Sequence, residues 1–107
     1  MNFVLQIGRL VRKPEIRYTQ SAEPLAVTRF TITGDREKTK NNEVDFFNIV
    51  CFGKQAENCS KYLIKGQMVA VKGRLKNRKY DKDGETRYII EIIADNIKFL
   101  EKPKEIG

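Results

Sequence analysis

Between Met68 and Asn96 apolar and polar residues alternate with a period of two on both sides of a short polar break, a pattern that predicts a long β-hairpin. On the first arm Val69, Val71, Gly73 and Leu75 share one face, and Lys72, Arg74, Lys76, Arg78 and Tyr80 share the other, because successive side chains of a strand point to opposite sides. The first face is predicted to be core and the second cationic. Asp81, Lys82, Asp83 and Gly84 form the turn. The return arm, Glu85 to Asn96, carries Ile89, Ile90, Ile92 and Ile93, and so is expected to be buried over much of its length. Ile97 to Leu100 is read as a short end strand.

Period-two patterning recurs earlier in the chain. Phe3 to Leu10 reads as a first strand, with Phe3, Leu5 and Ile7 alternating against Val4, Gln6 and Gly8, and Gly8 permitting a bend. Pro14 and Pro24 bracket a bend, a short strand at Ile16 to Thr19 and a loop. Leu25 to Thr33 is rich in β-branched and aromatic residues and gives a second long strand. Residues 34–44, GDREKTKNNEV, carry no apolar periodicity and read as an exposed hairpin loop. Asp45 to Phe52 is a strand with Phe46, Asn48, Val50 and Phe52 on one face and Phe47, Ile49 and Cys51 on the other. Both faces are apolar, which fits two core phenylalanines as well as two partly open rings.

Gly53 to Gly66 has helical spacing instead. Ala56, Cys59 and Leu63 form a stripe, Lys61 and Lys65 suit the negative end of the helix dipole, and Gly66 can cap it. The order is then long strand, strand, strand, one helix and a two-stranded hairpin. It predicts an all-β fold with one helix: an OB-fold, a five-stranded antiparallel Greek-key barrel with the helix between the third and fourth long strands. At 107 residues this is one domain, 1–107, with its core at about 2–101 and a short C-terminal extension at 102–107.

Charge sharpens the picture. The chain has 21 Lys and Arg against 14 Asp and Glu, a net charge of +7, which favours an anionic partner. No apolar run reaches the roughly 20 residues of a membrane-spanning helix, so a membrane role is set aside. The start carries Arg9 early and lacks a small-residue cleavage site, and Cys51 and Cys59 form no CxxC pair, so a cytoplasmic protein is expected. Without histidine there is no Ser-His or Cys-His pair, and two cysteines do not supply a four-ligand zinc site. No cofactor or metal and no catalytic residue is expected. Asp81, Asp83 and Gly84 lack the further ligands of a calcium loop, and Gly53 and Lys54 lack the spacing of a phosphate-binding loop. A cationic row ending in an aromatic ring suits single-stranded nucleic acid, a flexible polyanion with flat bases; a solvated basic strand is the alternative.

Three motifs, NFVLQIGRLVRKPEIRYTQSAEPLAVTRFTI, DFFNIVCFGKQAENCSKYLIKGQMVAVKGRL and KNRKYDKDGETRYIIEIIADNIKFLE, span nearly the whole chain from Asn2 to Glu101. In order and spacing the chain resembles the bacterial single-stranded DNA-binding protein family, in a short form lacking the acidic C-terminal tail. The resemblance implies base stacking on Phe46, Phe52 and Tyr80, sequence-independent binding, and a homotetramer built as a dimer of dimers joined partly through the first strands. Two departures stand out. Arg36, Glu37 and Lys38 replace an aromatic common in the family's loop, and the absent acidic tip is what many members use to recruit replication and repair enzymes. A shortened paralogue, a phage or mobile-element protein, or a fragment would each look like this.

The expected mechanism is stoichiometric coating in replication, recombination or repair. Phosphates track Lys38, Lys54, Arg74, Lys76, Arg78 and Arg87 while bases stack on the three aromatics. Three rivals stand beside it. A nuclease on the same barrel would have to gather Asp45, Glu57 and Glu91; an OB-fold protein-interaction module of a primosome-like complex would bind nucleic acid weakly; an RNA-binding barrel would use the same stacking.

Overall fold

A computed structural model of the chain describes residues 1–34 and 44–101. Six strands and one helix follow the predicted order: β1 (Val4–Leu10), β2 (Glu15–Tyr18), β3 (Ala26–Gly34), β4 (Phe46–Phe52), α1 (Gly53–Tyr62), β5 (Met68–Lys82) and β6 (Glu85–Phe99). The long strands close into a ring, β1–β3–β4–β6–β5 and back to β1, with β2 added outside β3. Every joint of the ring is antiparallel except β4–β6, where Ile49 and Val50 pair in parallel with Ile92 and Ile93. The architecture is that of an OB-fold, with α1 between the third and fourth long strands as the pattern required.

One contiguous core fills the ring. Ile32, Ile49, Cys51, Val69, Val71 and Ile92 meet at its centre, with Ala56, Cys59 and Leu63 brought in by α1. The helix is fixed to the barrel by polar bonds as well: the Thr28 hydroxyl donates to the Ala56 carbonyl at 2.7 Å, and Gln55 donates to the Ala94 carbonyl and accepts from the Ile97 N–H. Cys51 and Cys59 are free and buried. A hydrogen bond with Cys59 and then burial push the Cys51 thiol well up from its ordinary value, so it stays protonated.

Closure brings backbones together at two glycines. A Cβ on Gly8 would lie 2.1 Å from the Thr33 carbonyl oxygen, and one on Gly73 would lie 2.0 Å from that of Ile93. These are the points where β1 crosses onto β3 and where β5 passes β6 beside its bulge.

Four details differ from the sequence expectation. The helix ends at Tyr62, not Gly66: Leu63 turns extended to bury its side chain, and the Gly66 N–H and Gln67 carbonyl bond to Leu10 at the end of β1 instead of forming a last helical turn. The hairpin turn is two residues, Asp83 and Gly84, both at positive φ (52 and 77) as a type I′ connection requires. Ile97 to Leu100 is no separate strand, because β6 runs on to Phe99 through a bulge where Asp95 has no partner on β5. That extra residue moves the inward set from Ile92 and Ala94 to Ile97 and Phe99.

The fourth difference concerns which apolar residues are inside. Leu5 and Ile7 on β1, with Phe3 just before it, point outward, and Leu75 on β5 and Tyr88 and Ile90 on β6, though on the inward face of the hairpin, are exposed. The core face of β1 is the one with Gly8 and Leu10. The outer half of the hairpin runs past the end of the barrel, so Ile90 has nothing to pack under and stays 60% exposed. Among the described residues no helix is long and apolar enough to cross a membrane.

Candidate functional site

The register of the ring sets one face of the sheet. Tyr80 pairs with Arg87, Arg78 with Ile89, Lys76 with Glu91 and Arg74 with Ile93; Ile93 pairs with Val50, and β4 pairs its even-numbered residues with Val27, Arg29, Thr31 and Thr33 of β3. Paired residues share a face, so Phe46, Phe52, Tyr80 and the hairpin cations lie on one continuous surface that spans β3, β4, β6 and β5. Phe46 is 61% and Phe52 42% exposed, where burial of both was the competing reading, and Tyr80 is half-buried. By strand rise Phe46 and Phe52 stand roughly 20 Å apart along β4.

The cations on this face differ in how they are held. Lys76 is exposed and has no ion-pair partner among the described residues. Arg74 lies 3.8 Å from Asp95 and Arg87 lies 3.2 Å from Glu85, both pairs exposed and so weak. Lys54 is exposed on the first turn of α1, directly after Phe52. The Arg78 guanidinium sits over the Tyr80 ring, 5.7 Å from its centroid. Lys38, with Arg36 and Lys40, lies outside the described residues.

Sequence reasoning missed the centre of the face. Glu91 is 4% exposed, and its carboxylate accepts from Arg78 Nε at 2.8 Å and from Arg29 Nε at 3.2 Å. Its pairing with Lys76 puts Glu91 on the outer face, sunk beneath two guanidiniums. Between Arg78, Arg29 and the chain after β1 opens a cleft of about 240 Å³, lined also by Arg12, Lys13, Thr31 and Asn48. A signal was present: a lone carboxylate inside YIIEIIA must be paired if buried, and Arg29 is the one charge in the apolar run of β3.

The carboxylates a nuclease would need do not converge. Glu91 is occupied by two arginines, Glu57 is exposed on α1, and Asp45 precedes β4. Among the described residues no group of three His, Cys, Asp or Glu could hold a metal ion.

Comparison with known proteins gives one answer throughout. Residues 1–100 match the single-strand binding protein family. A single-stranded DNA-binding protein of Clostridium tetani is 44% identical over 104 residues, an alignment spanning 94% of this chain and 71% of that protein. Single-stranded DNA-binding protein 1 of Staphylococcus aureus is 47% identical over 105 residues, 94% of this chain and 66% of its own length. Single-stranded DNA-binding protein 2 of Clostridium acetobutylicum is 43% identical over 108 residues, 98% of this chain and 80% of its own.

Proposed function

The chain belongs to the single-strand binding protein family, and from that premise we propose that it coats single-stranded DNA without reading its sequence. Proteins of this family bind and do not catalyse; the coating role, in replication, recombination or repair within the bacterial cytoplasm, is our reading. The observation that carries it is the single sheet face on which Phe46, Phe52 and Tyr80 stand among Arg74, Lys76, Arg78 and Arg87. Exposed rings in a cationic field accept any base, since every base has a π-face, and exclude duplex, whose bases are already stacked on one another. Lys54 extends the cationic track past Phe52, and Lys38 belongs to the same reading.

Oligomerisation fits the exposed apolar residues. We assign the face of β1 carrying Leu5 and Ile7, with Phe3 just before it, to the dimer contact, and the hairpin residues Leu75, Tyr88 and Ile90 to the contact between dimers. A homotetramer would lay several short grooves side by side for one strand.

The test is a titration with thymidine, mixed-sequence and duplex oligonucleotides at two salt concentrations, read by tyrosine quenching. Salt-sensitive binding to both single strands and little to duplex is expected. Equal or negligible binding to all three would end the coating reading and favour a protein-interaction module. Within that assay Lys76→Ala should lower the salt slope by about 0.7, the value for one lost phosphate contact on a single strand. Arg87→Ala should change it less, because Arg87 already has the Glu85 carboxylate beside it. A larger change in Arg87→Ala than in Lys76→Ala would reverse the assignment of the track.

A further inference from the structure

Glu91 is a costly residue to keep beneath a surface meant for a polyanion. A carboxylate at 4% exposure must be compensated, and here two arginines from different strands do so, one on each oxygen. The same arrangement holds those arginines. Arg29 and Arg78 carry like charges that would otherwise move apart, and the carboxylate between them fixes each through Nε. Their side chains remain 43% and 39% exposed, and among the described residues neither has a hydrogen-bond partner for its terminal nitrogens. Two guanidiniums thus stand side by side with donors open to the cleft, and with little freedom left to lose.

The cleft is cationic on balance. Arg12, Lys13, Arg29 and Arg78 face it against Glu15 and Glu91, and Glu91 is already spent on the two arginines. Thr31 and Asn48, its polar lining on β3 and β4, are bonded to each other at 3.2 Å. The one aromatic ring in the lining, Phe30, is 5% exposed and belongs to the core, so it offers a base no open face. We propose that the cleft seats a backbone phosphate of the bound strand, with Arg29, Arg12 and Lys13 as further phosphate ligands beside Arg78, and with Glu91 as the positioning residue that presents the two guanidiniums. The seat rests on the single-strand-binding reading. Because Arg78 also covers the Tyr80 ring, a phosphate held here is tied to the base stacked next to it.

The two roles of Glu91 predict opposite signs. If its carboxylate only opposed DNA, Glu91→Gln would bind more tightly, having removed a negative charge from the face. As a positioning residue, Glu91→Gln loses the charge-assisted bonds to both arginines, and single-strand affinity falls several-fold although the protein has become more cationic. Arg29→Lys keeps the charge but not the fork, and should weaken binding with little change of salt slope. Arg12→Ala/Lys13→Ala leaves the Glu91 clamp untouched and should lower the slope by about 0.7 to 1.4, one to two phosphate contacts.

The experiment is titration of wild type and the three variants with a thymidine oligonucleotide across a salt series, with thermal unfolding of each recorded alongside. Lower slope in Arg12→Ala/Lys13→Ala and weaker binding in folded Glu91→Gln establish the seat and its positioning residue. Equal or tighter binding by folded Glu91→Gln overturns the positioning role; should that variant not fold, wild-type affinity in Arg29→Lys overturns it. An unchanged slope in Arg12→Ala/Lys13→Ala overturns the seat, and weaker binding at unchanged slope means a base and not a phosphate occupies it. Failure of the wild type itself to bind would instead remove the coating reading.

Discussion

Phe46→Ala/Phe52→Ala should lose single-strand affinity by roughly 30-fold to 10⁴-fold at every salt concentration. Each stacked base is worth about 1 to 3 kcal/mol, the range known for single-strand-binding barrels of this kind. The two rings stand far enough apart along β4 for their losses to add. Both side chains are open to solvent, so the thermal midpoint should move little, and Tyr80 is retained to report binding. The salt slope should stay at the wild-type value, because no cation has been removed. Affinity within twofold of wild type in a folded variant would sink the assignment of these rings as stacking platforms.

Gly73→Ala, matched by Gly8→Ala, should be among the most damaging glycine-to-alanine changes in the chain. Its Cβ would stand 2.0 Å from the Ile93 carbonyl oxygen, and the obstacle is backbone, not the end of a flexible side chain. Overpacking of this kind costs about 1 to 3 kcal/mol and occasionally more. For a domain of this size each kcal/mol lowers the midpoint by roughly 4 to 8 °C, so a fall of roughly 4 to 24 °C is expected. Gly84→Asn is the control, since a Cβ there meets nothing within 4 Å and asparagine tolerates a positive φ of 77. Equal midpoints for the two variants would mean that β5 and β6 can separate at the bulge without loss.

The strands and the cationic face of β5 were legible because they depend on local alternation, which a sequence displays directly. Lys72 through Tyr80 fell on the predicted side for that reason. What stayed hidden depends on where the barrel ends and on pairing across the ring. Leu75 and Ile90 look like core by composition, but they lie beyond the last turn of barrel wall and have no opposite face to meet. Phe3, Leu5 and Ile7 are as apolar as any core strand; which side of β1 faces inward is set by the crossing at Gly8, where only the face without a Cβ can approach β3. The extra residue at Asp95 shifts the alternation of β6 without any glycine or proline to mark it. At the site, the family resemblance pointed to Phe46, Phe52 and Tyr80 as stacking rings, whereas Arg29 and Glu91 are 62 positions apart and become neighbours only when β3, β4 and β6 assemble.

The two-residue turn at the hairpin tip also says how this protein can vary. Past the barrel wall, no strand pairs with the arms of β5 and β6 except each other, so their length is free of the strand pairing that holds the core. Adding or removing two residues from each arm would preserve every pairing and every face while moving the tip by about 7 Å. Unequal changes would turn the cations of one arm inside out. Insertions and deletions near Asp83 and Gly84 should therefore be tolerated in matched, even steps, and reach along the nucleic acid becomes a trait that can drift or be engineered without refolding the domain.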